Sequence, residues 1–331
     1  MSYVFYISRL VLFCLLFVPT FSQAKNQNDK LIVLFHGLGN KVSSFSTMEQ
    51  GLKKALPAYA IIAPTSVEGM KSVELSIKQQ AKMVYRELSK KVKDLASKSI
   101  LLVGHSQGGL RAYSFLKQYG HLLRIRGLVT LATPWEGAPG ARVDPAVLSQ
   151  HLTDSVVDDI RMLAVGLGYA ENELEKQLMV NVENNQSVCL FPGGKDLMPG
   201  SDFLAEVKKN LFDEKVPILA IGGGQGNFEA LLPKGSGHCF KALNALYTFF
   251  VVGEAYPNNS YHDMQVPLFS QHAFGILSES KKSKKNFTRF FIKDAFHSAY
   301  VWNIPVPKSK AILAHPKALR SVIKFAKRRL K

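Results

Sequence analysis

Apolar runs alternating with helix-period segments predict an α/β chain with a mostly parallel central sheet flanked by helices. Two observations carry that expectation. The runs Leu31–Phe35, Ala58–Ala63, Ile100–Val103, Leu128–Ala132 and Pro217–Ile221 are apolar throughout and end near Gly or Pro, as strands covered on both faces do. The unusual residues of the chain gather just after these runs, where such sheets bind ligands.

Residues 1–24, MSYVFYISRLVLFCLLFVPTFSQA, stand apart from the fold. Arg9 precedes the apolar stretch Leu10 to Phe21, and Ser22 and Ala24 supply small residues after it. That order predicts a secretory signal peptide cleaved after Ala24, hence a secreted or periplasmic chain, with residues 25–331 as one domain. An uncleaved anchor is the alternative, although the stretch is short for a spanning helix. Cys14 lies inside it. The remaining Cys189 and Cys239 form one disulfide in an oxidising compartment or stay as two buried thiols, and their spacing does not suit a metal.

The first strand ends in LFHGLGN. A glycine-rich loop there can turn the Leu38 N–H toward a site, while His36 reads as a turn-packing residue that shapes the loop. Ile77, Ala81, Val84, Leu88, Val92 and Leu95 then recur at three and four residues, giving a helix one apolar face. In ILLVGHSQGGL the apolar run stops at Gly-His-Ser-Gln-Gly. Taken alone G-x-S-x-G is a weak signal, and a plain tight turn is its bland reading. Here it follows a buried strand and opens a helix marked by Ala112, Phe115, Leu116 and Tyr119, the context of a nucleophile elbow at Ser106. A serine alcohol needs a base to take its proton, and the resulting oxyanion needs aimed donors; the N–H groups of Leu38 and Gln107 are the candidates.

Two stretches break the strand–helix rhythm. Gly140–Gln186 holds helical pieces, Val147–Val165 and Glu171–Val182, and Gln225–Tyr261 holds the apolar run Ala242–Val252. Neither reads as a separate domain or a repeat; both read as insertions at strand ends, placed for a lid or a binding wall. Val156, Ile160, Leu163 and Leu167, interleaved with Asp154, Asp158 and Asp159, predict an amphipathic cover whose apolar face meets the site. A rigid wall that only narrows the pocket is the alternative.

On LFHGLGN, GHSQGG, LATPWEGAPGA and DLMPGSDFL the chain resembles serine hydrolases of the α/β-hydrolase superfamily, among them bacterial triacylglycerol lipases and esterases. HGLG with GHSQGGL is also similar to palmitoyl-protein thioesterases. The resemblance spans about Leu31 to Tyr300 and weakens in the insertions. It implies the α/β-hydrolase fold and a chain order of serine, acid, histidine. Asp263 in YHDMQVPLFSQ resembles the lipase acid loop, with Glu254 and Asp294 as alternatives. His297, after the apolar strand in FTRFFIKDAFHSAY, closes the order, whereas His272 and His315 read as surface or packing residues. Many such lipases hold calcium partly through an acidic residue just after the histidine. Ser298, Ala299 and Tyr300 follow here, so no calcium site, no other metal and no cofactor is expected.

Of 331 residues 42 are Lys or Arg and 25 Asp or Glu, a formal net charge of +17. The cations are spread along helical stretches, with one run, KKSKK at 281–285, and no zinc-finger or aromatic-basic motif. Nucleic acid is therefore the last reading, a solvated surface the first, and contact with an anionic membrane between them. In the C-terminal helix Leu319, Ile323, Ala326 and Leu330 share a face opposite Lys317, Arg320, Lys324, Lys327 and Lys331. It packs on the sheet with a basic outer face, or docks on a membrane.

The expected activity is hydrolysis of acyl esters through Ser106, Asp263 and His297, with thioesters as the nearest alternative and a non-catalytic lipid or partner binder as the distant one. Acyl length, leaving group and oligomeric state are not legible. Turnover of short esters is expected to be indifferent to EDTA, measured with and without added calcium.

Overall fold

A computed structural model describes residues 29–253, 261–277 and 286–331. The expected signal peptide, Cys14, Glu254 and the KKSKK run lie outside the described residues. Six strands, β1 (Lys30–Phe35), β2 (Ala60–Ile62), β3 (Ser99–His105), β4 (Arg124–Leu131), β5 (Ile218–Gly223) and β6 (Phe287–Ile292), form one sheet in the order β2-β1-β3-β4-β5-β6. Every neighbouring pair is parallel. The strand order reverses between β1 and β3, which opens a crevice beyond their carboxyl ends. Two further strands, β7 (Tyr300–Val301) and β8 (Ile304–Pro305), pair separately.

Alternation along the strands feeds two cores. Leu31, Val33, Phe35, Ile100, Leu102 and Leu128 join one cluster, and Ile32, Leu34, Leu101, Val103, Val129 and Leu131 the other. Successive side chains are thus buried on opposite faces, which is why these strands read as unbroken apolar runs. The exception is β2, an edge strand whose three residues are half-buried. Ala58–Ala63 was therefore too long and too buried an expectation.

Thirteen helices are described, counting short turns. On the second core lies α1 (Ser46–Ala55). After a turn α2 (Lys71–Glu74), helix α3 (Ile77–Lys91) begins at a capping box between Ser76 and Gln79 and buries Ile77, Ala81, Val84 and Leu88 in the first core. Helix α4 (Gln107–Tyr119) follows β3 directly. The expected single piece Val147–Val165 is two helices, α5 (Pro145–His151) and α6 (Asp154–Gly166), broken at Leu152 and Thr153. Then come α7 (Glu173–Val188), the turn α8 (Pro192–Lys195) and α9 (Asp202–Leu211). The apolar run Ala242–Val252 belongs to α10 (Lys241–Val252). Turns α11 (Leu268–Gln271) and α12 (Phe274–Leu277) precede β6, and α13 (Pro316–Arg329) ends the fold.

The basic face of α13 is exposed at Lys317, Arg320, Lys324 and Lys327, with exposed Lys331 just past its end, while Ala318, Val322, Phe325 and Ala326 are buried against the sheet. Gly51 of α1 lets this helix approach, since a Cβ there would lie 2.5 Å from Leu319 Cδ2. Among the described residues no helix is long and apolar enough to cross a membrane. Cys189 is half-buried and Cys239 exposed, and the two are not joined. Neither the disulfide nor the pair of buried thiols is what the fold contains.

The two insertions pack on each other. Val156, Ile160, Leu163 and Ala164 of α6, Leu174 and Leu178 of α7 and Leu243 of α10 share a third core with Phe228, Phe240, Met264, Phe296 and Trp302. Asp159 accepts the Leu243 N–H at 2.9 Å and Glu229 the Phe240 N–H at 2.8 Å, so two carboxylates sit at the amino end of α10. The apolar face of α6 therefore turns into the cap, with Ile160 and Leu163 fully buried, and does not form an open acyl-facing surface. Leu163→Ala is expected to cost about 2–5 kcal/mol, read as a lowered urea midpoint, because it empties a closed cluster.

Candidate active site

Ser106 occupies the turn from β3 into α4 with φ 53 and ψ −129, a conformation rarely adopted by a residue with a side chain. The flanking glycines make the turn possible. A Cβ on Gly104 would come within 2.5 Å of Gly108 O, and one on Gly108 would overlap the Phe35 carbonyl. The amino end of α4 thus lies directly against the end of β1. Ser106 N–H donates to Leu131 O at 2.9 Å, which ties the elbow to β4.

His297 and Asp263 reach this serine from separate loops. His297 Nε2 lies 3.0 Å from Ser106 Oγ, and His297 Nδ1 lies 2.8 Å from Asp263 Oδ2. A carboxylate only accepts, so Nδ1 carries the proton and Nε2 is left to accept from the serine hydroxyl. Asp263 is fully buried, and its Oδ1 accepts the Val266 N–H at 2.8 Å and the Gln265 N–H at 3.1 Å. Met264 takes a positive φ of 78 to let the loop close on the carboxylate. The His297 N–H also donates to Asp263 O at 2.8 Å, so backbone and side chain couple the two residues.

Three side chains outside the expected set hold these loops. Gln271 accepts the Gly223 N–H at 2.8 Å and donates to Val266 O at 2.7 Å, pinning the acid loop to the end of β5. Tyr247 of α10 donates to Met264 O at 2.8 Å. His105 donates from Nε2 to His297 O at 2.9 Å, its ring centroid 4.9 Å from that of His297. His105 lies inside the elbow motif, and Gln271 closes the run YHDMQVPLFSQ that carries Asp263, so both had a place in the sequence signal. Tyr247 is far from any motif, and nothing in its local sequence marks it.

The other expected residues separate clearly. Gln107 opens α4, where the first N–H groups of a helix lack intrahelical acceptors. Leu38 is half-buried on the loop that passes the serine, where a Cβ on Gly37 would lie 3.1 Å from Ser106 Cβ. His36 is buried with Nδ1 2.9 Å from Gly37 O, a turn-packing residue as read. Asp294 faces His315 Nε2 at 3.4 Å and is not joined to His297. His315 Nδ1 accepts the Lys317 N–H at the start of α13, and His272 is buried beside Gly222. Among the described residues no group of three His, Cys, Asp or Glu is placed to hold a metal ion.

Known proteins share this architecture. The family model for palmitoyl protein thioesterase matches residues 31–184. Phospholipase PlaB from Legionella pneumophila superimposes with a TM-score of 0.52 at 12% identity, over 90% of this chain and 60% of that one. The chain has the α/β-hydrolase fold. Monoacylglycerol lipase from Paleococcus ferrophilus has a TM-score of 0.48 at 15% identity over 90% of this chain and 94% of its own. A Bacillus licheniformis lipase has 0.45 at 15%, over 89% and 91%. No curated protein matches the sequence.

Burial also sets how this hydrolase fold responds to acid. Desolvation lowers the pKa of His36, His262 and His272 to about 4 and that of His105 to about 3. In the unfolded chain these groups titrate near ~6.5. Between those values the unfolded chain binds protons that the native state refuses, so stability present above about pH 6.5 is lost as pH falls toward 4. Each unit of depression is worth up to about 1.4 kcal/mol. The urea midpoint is expected to fall between pH 7 and pH 4, and His272→Gln to flatten that slope; a level profile would contradict the assignment.

Proposed function

We propose that this chain is a serine hydrolase that cleaves carboxylic esters of acyl chains. One observation carries the reading: Ser106, His297 and Asp263 form a continuous hydrogen-bonded line of 3.0 and 2.8 Å. His297 takes the Ser106 proton as Oγ attacks the carbonyl carbon. Asp263 holds the imidazole in the tautomer with Nδ1 protonated and balances the imidazolium that forms. The Leu38 and Gln107 N–H groups receive the oxyanion. His297 then protonates the leaving group, and an acyl-serine remains. Water, deprotonated by the same histidine, releases the acid and restores Ser106. No step needs a metal or a cofactor. A pure lipid or partner binder would have no use for this proton path.

The thioester reading rests on a specific observation, the palmitoyl protein thioesterase model over residues 31–184, which includes Leu38 and the Ser106 elbow. The apparatus is the same for both bonds, so the leaving group decides between them. Residues 1–24 act in this reading as an export signal, which makes the enzyme secreted or periplasmic. The exposed cations of α13 supply attraction to an anionic membrane that presents acyl substrates.

Ser106→Ala is expected to abolish fluorophosphonate labelling and to lower kcat roughly 10⁵–10⁶-fold with the thermal midpoint retained. Asp263→Asn is expected to lower kcat about 10³–10⁴-fold with KM little changed, by stabilising the wrong tautomer. A panel of matched oxygen esters and thioesters, read as kcat/KM, separates the two substrate classes. Normal turnover by Ser106→Ala would place the nucleophile elsewhere.

A further inference from the structure

Beneath the elbow lies a buried cation. Arg111, just over one turn into α4, is 1% exposed, and among the described residues no carboxylate forms an ion pair with it. Taking such a charge out of water costs several kcal/mol after relaxation. Burial lowers its pKa to about 9, which still leaves it cationic at neutral pH. Its recorded partners are two neutral amides. Nε donates to Gln80 Oε1 at 2.7 Å, and Nη2 to Gln107 Oε1 at 3.1 Å.

A guanidinium can only donate, so it dictates which end of each amide faces it. The opposite NH2 groups must then find acceptors, and they do. Gln107 Nε2 donates to Ser72 O and Gly193 O, each at 3.0 Å. Gln80 Nε2 donates to Ser72 O at 2.8 Å and Leu75 O at 2.7 Å. Both amides thus converge on the backbone of Ser72. The Ser72 hydroxyl in turn accepts the Gly39 N–H at 2.7 Å and donates to Gly69 O at 2.7 Å. Gly39 follows Leu38. One polar chain therefore joins the residue after the nucleophile to the loop that carries the other oxyanion donor.

We propose that Arg111 is a positioning residue, which fixes the relative placement of the Leu38 and Gln107 N–H groups through Gln107, Gln80 and Ser72. The inference rests on the serine-hydrolase reading above. An oxyanion hole acts only if its donors are aimed before charge develops, so a cost of reorganisation at this point appears in kcat rather than in substrate binding. The charge itself also sits near the amino end of α4, where developing negative charge is favoured.

The test compares Arg111→Met, Arg111→Lys and Ser72→Ala with the wild-type chain, using a nitrophenyl ester and an alkylboronic acid whose serine adduct is tetrahedral. Val322→Ala, a buried change in α13 within the second core and away from the chain of bonds, controls for lost stability. Arg111→Met and Ser72→Ala are expected to lower kcat about 10-fold or more with KM within about twofold, and to weaken boronate binding by the same factor. Arg111→Lys recovers part of the loss, and Val322→Ala shows none. Wild-type kcat and boronate affinity in folded Arg111→Met overturn the inference, as do losses that Val322→Ala shares. Should Arg111→Met not fold, Ser72→Ala decides, and unchanged kinetics there overturn it. A wild-type chain that neither turns over esters nor takes a fluorophosphonate label overturns the serine-hydrolase reading and this inference together, whereas labelling with unaffected variants overturns this inference alone.

Discussion

The backbone of Ser106 is bent against its preference, and much of the molecule is arranged to hold it there. With φ at 53 and ψ at −129 the residue stores strain that the surrounding contacts must over-determine. They come from three strands at once. The Ser106 N–H is held by Leu131 at the end of β4, α4 abuts the Phe35 carbonyl at the end of β1, and β3 runs between them. Gly104 and Gly108 are the conditions for that closeness, since a methyl group at either would collide with backbone. The consequence is a half-buried serine oxygen on a rigid platform, with the positive end of α4 directly behind it.

The histidine and the acid come from the other half of the sheet and are held by different means. They follow β5 and β6 in the chain, and polar contacts hold the short stretches that carry them. Asp263 is anchored by Val266, Gln265 and His297, its loop by Gln271 and Tyr247, and the His297 carbonyl by His105. Buried carboxylates are tolerated where hydrogen bonds satisfy them, and Asp263 meets that condition. The cap takes part as well, because Met264 and Phe296, neighbours of the acid and the histidine, are members of its core. A change in the cap therefore reaches the site through these two residues. No hinge is needed for that coupling.

The sheet and the strand-to-helix turn at Ser106 were legible in the sequence for local reasons. Strands covered on both faces must be apolar at every position, and a strand-to-helix elbow must have small residues around its serine, so both leave a signature in consecutive residues. The order of serine, acid and histidine came from resemblance rather than from spacing, and Asp294 could not be set aside by the chain alone. In three dimensions Asp294 faces His315 at 3.4 Å, whereas Asp263 meets His297 at 2.8 Å.

What the tertiary structure alone decided is which partner each ambiguous face and polar side chain meets. The apolar stripe of α6 is equally amphipathic whether it covers a substrate or another helix, and only the fold turns Ile160 and Leu163 onto α7 and α10. Gln80, Ser72, Gln107 and Arg111 are ordinary polar letters along two helices and a turn, yet they meet in one buried network. Periodicity reports that a residue is inward, because burial repeats with the backbone. It does not report the partner, because partners come from distant parts of the chain, and a hydrogen bond depends on atoms a few tenths of an ångström from where they would fail.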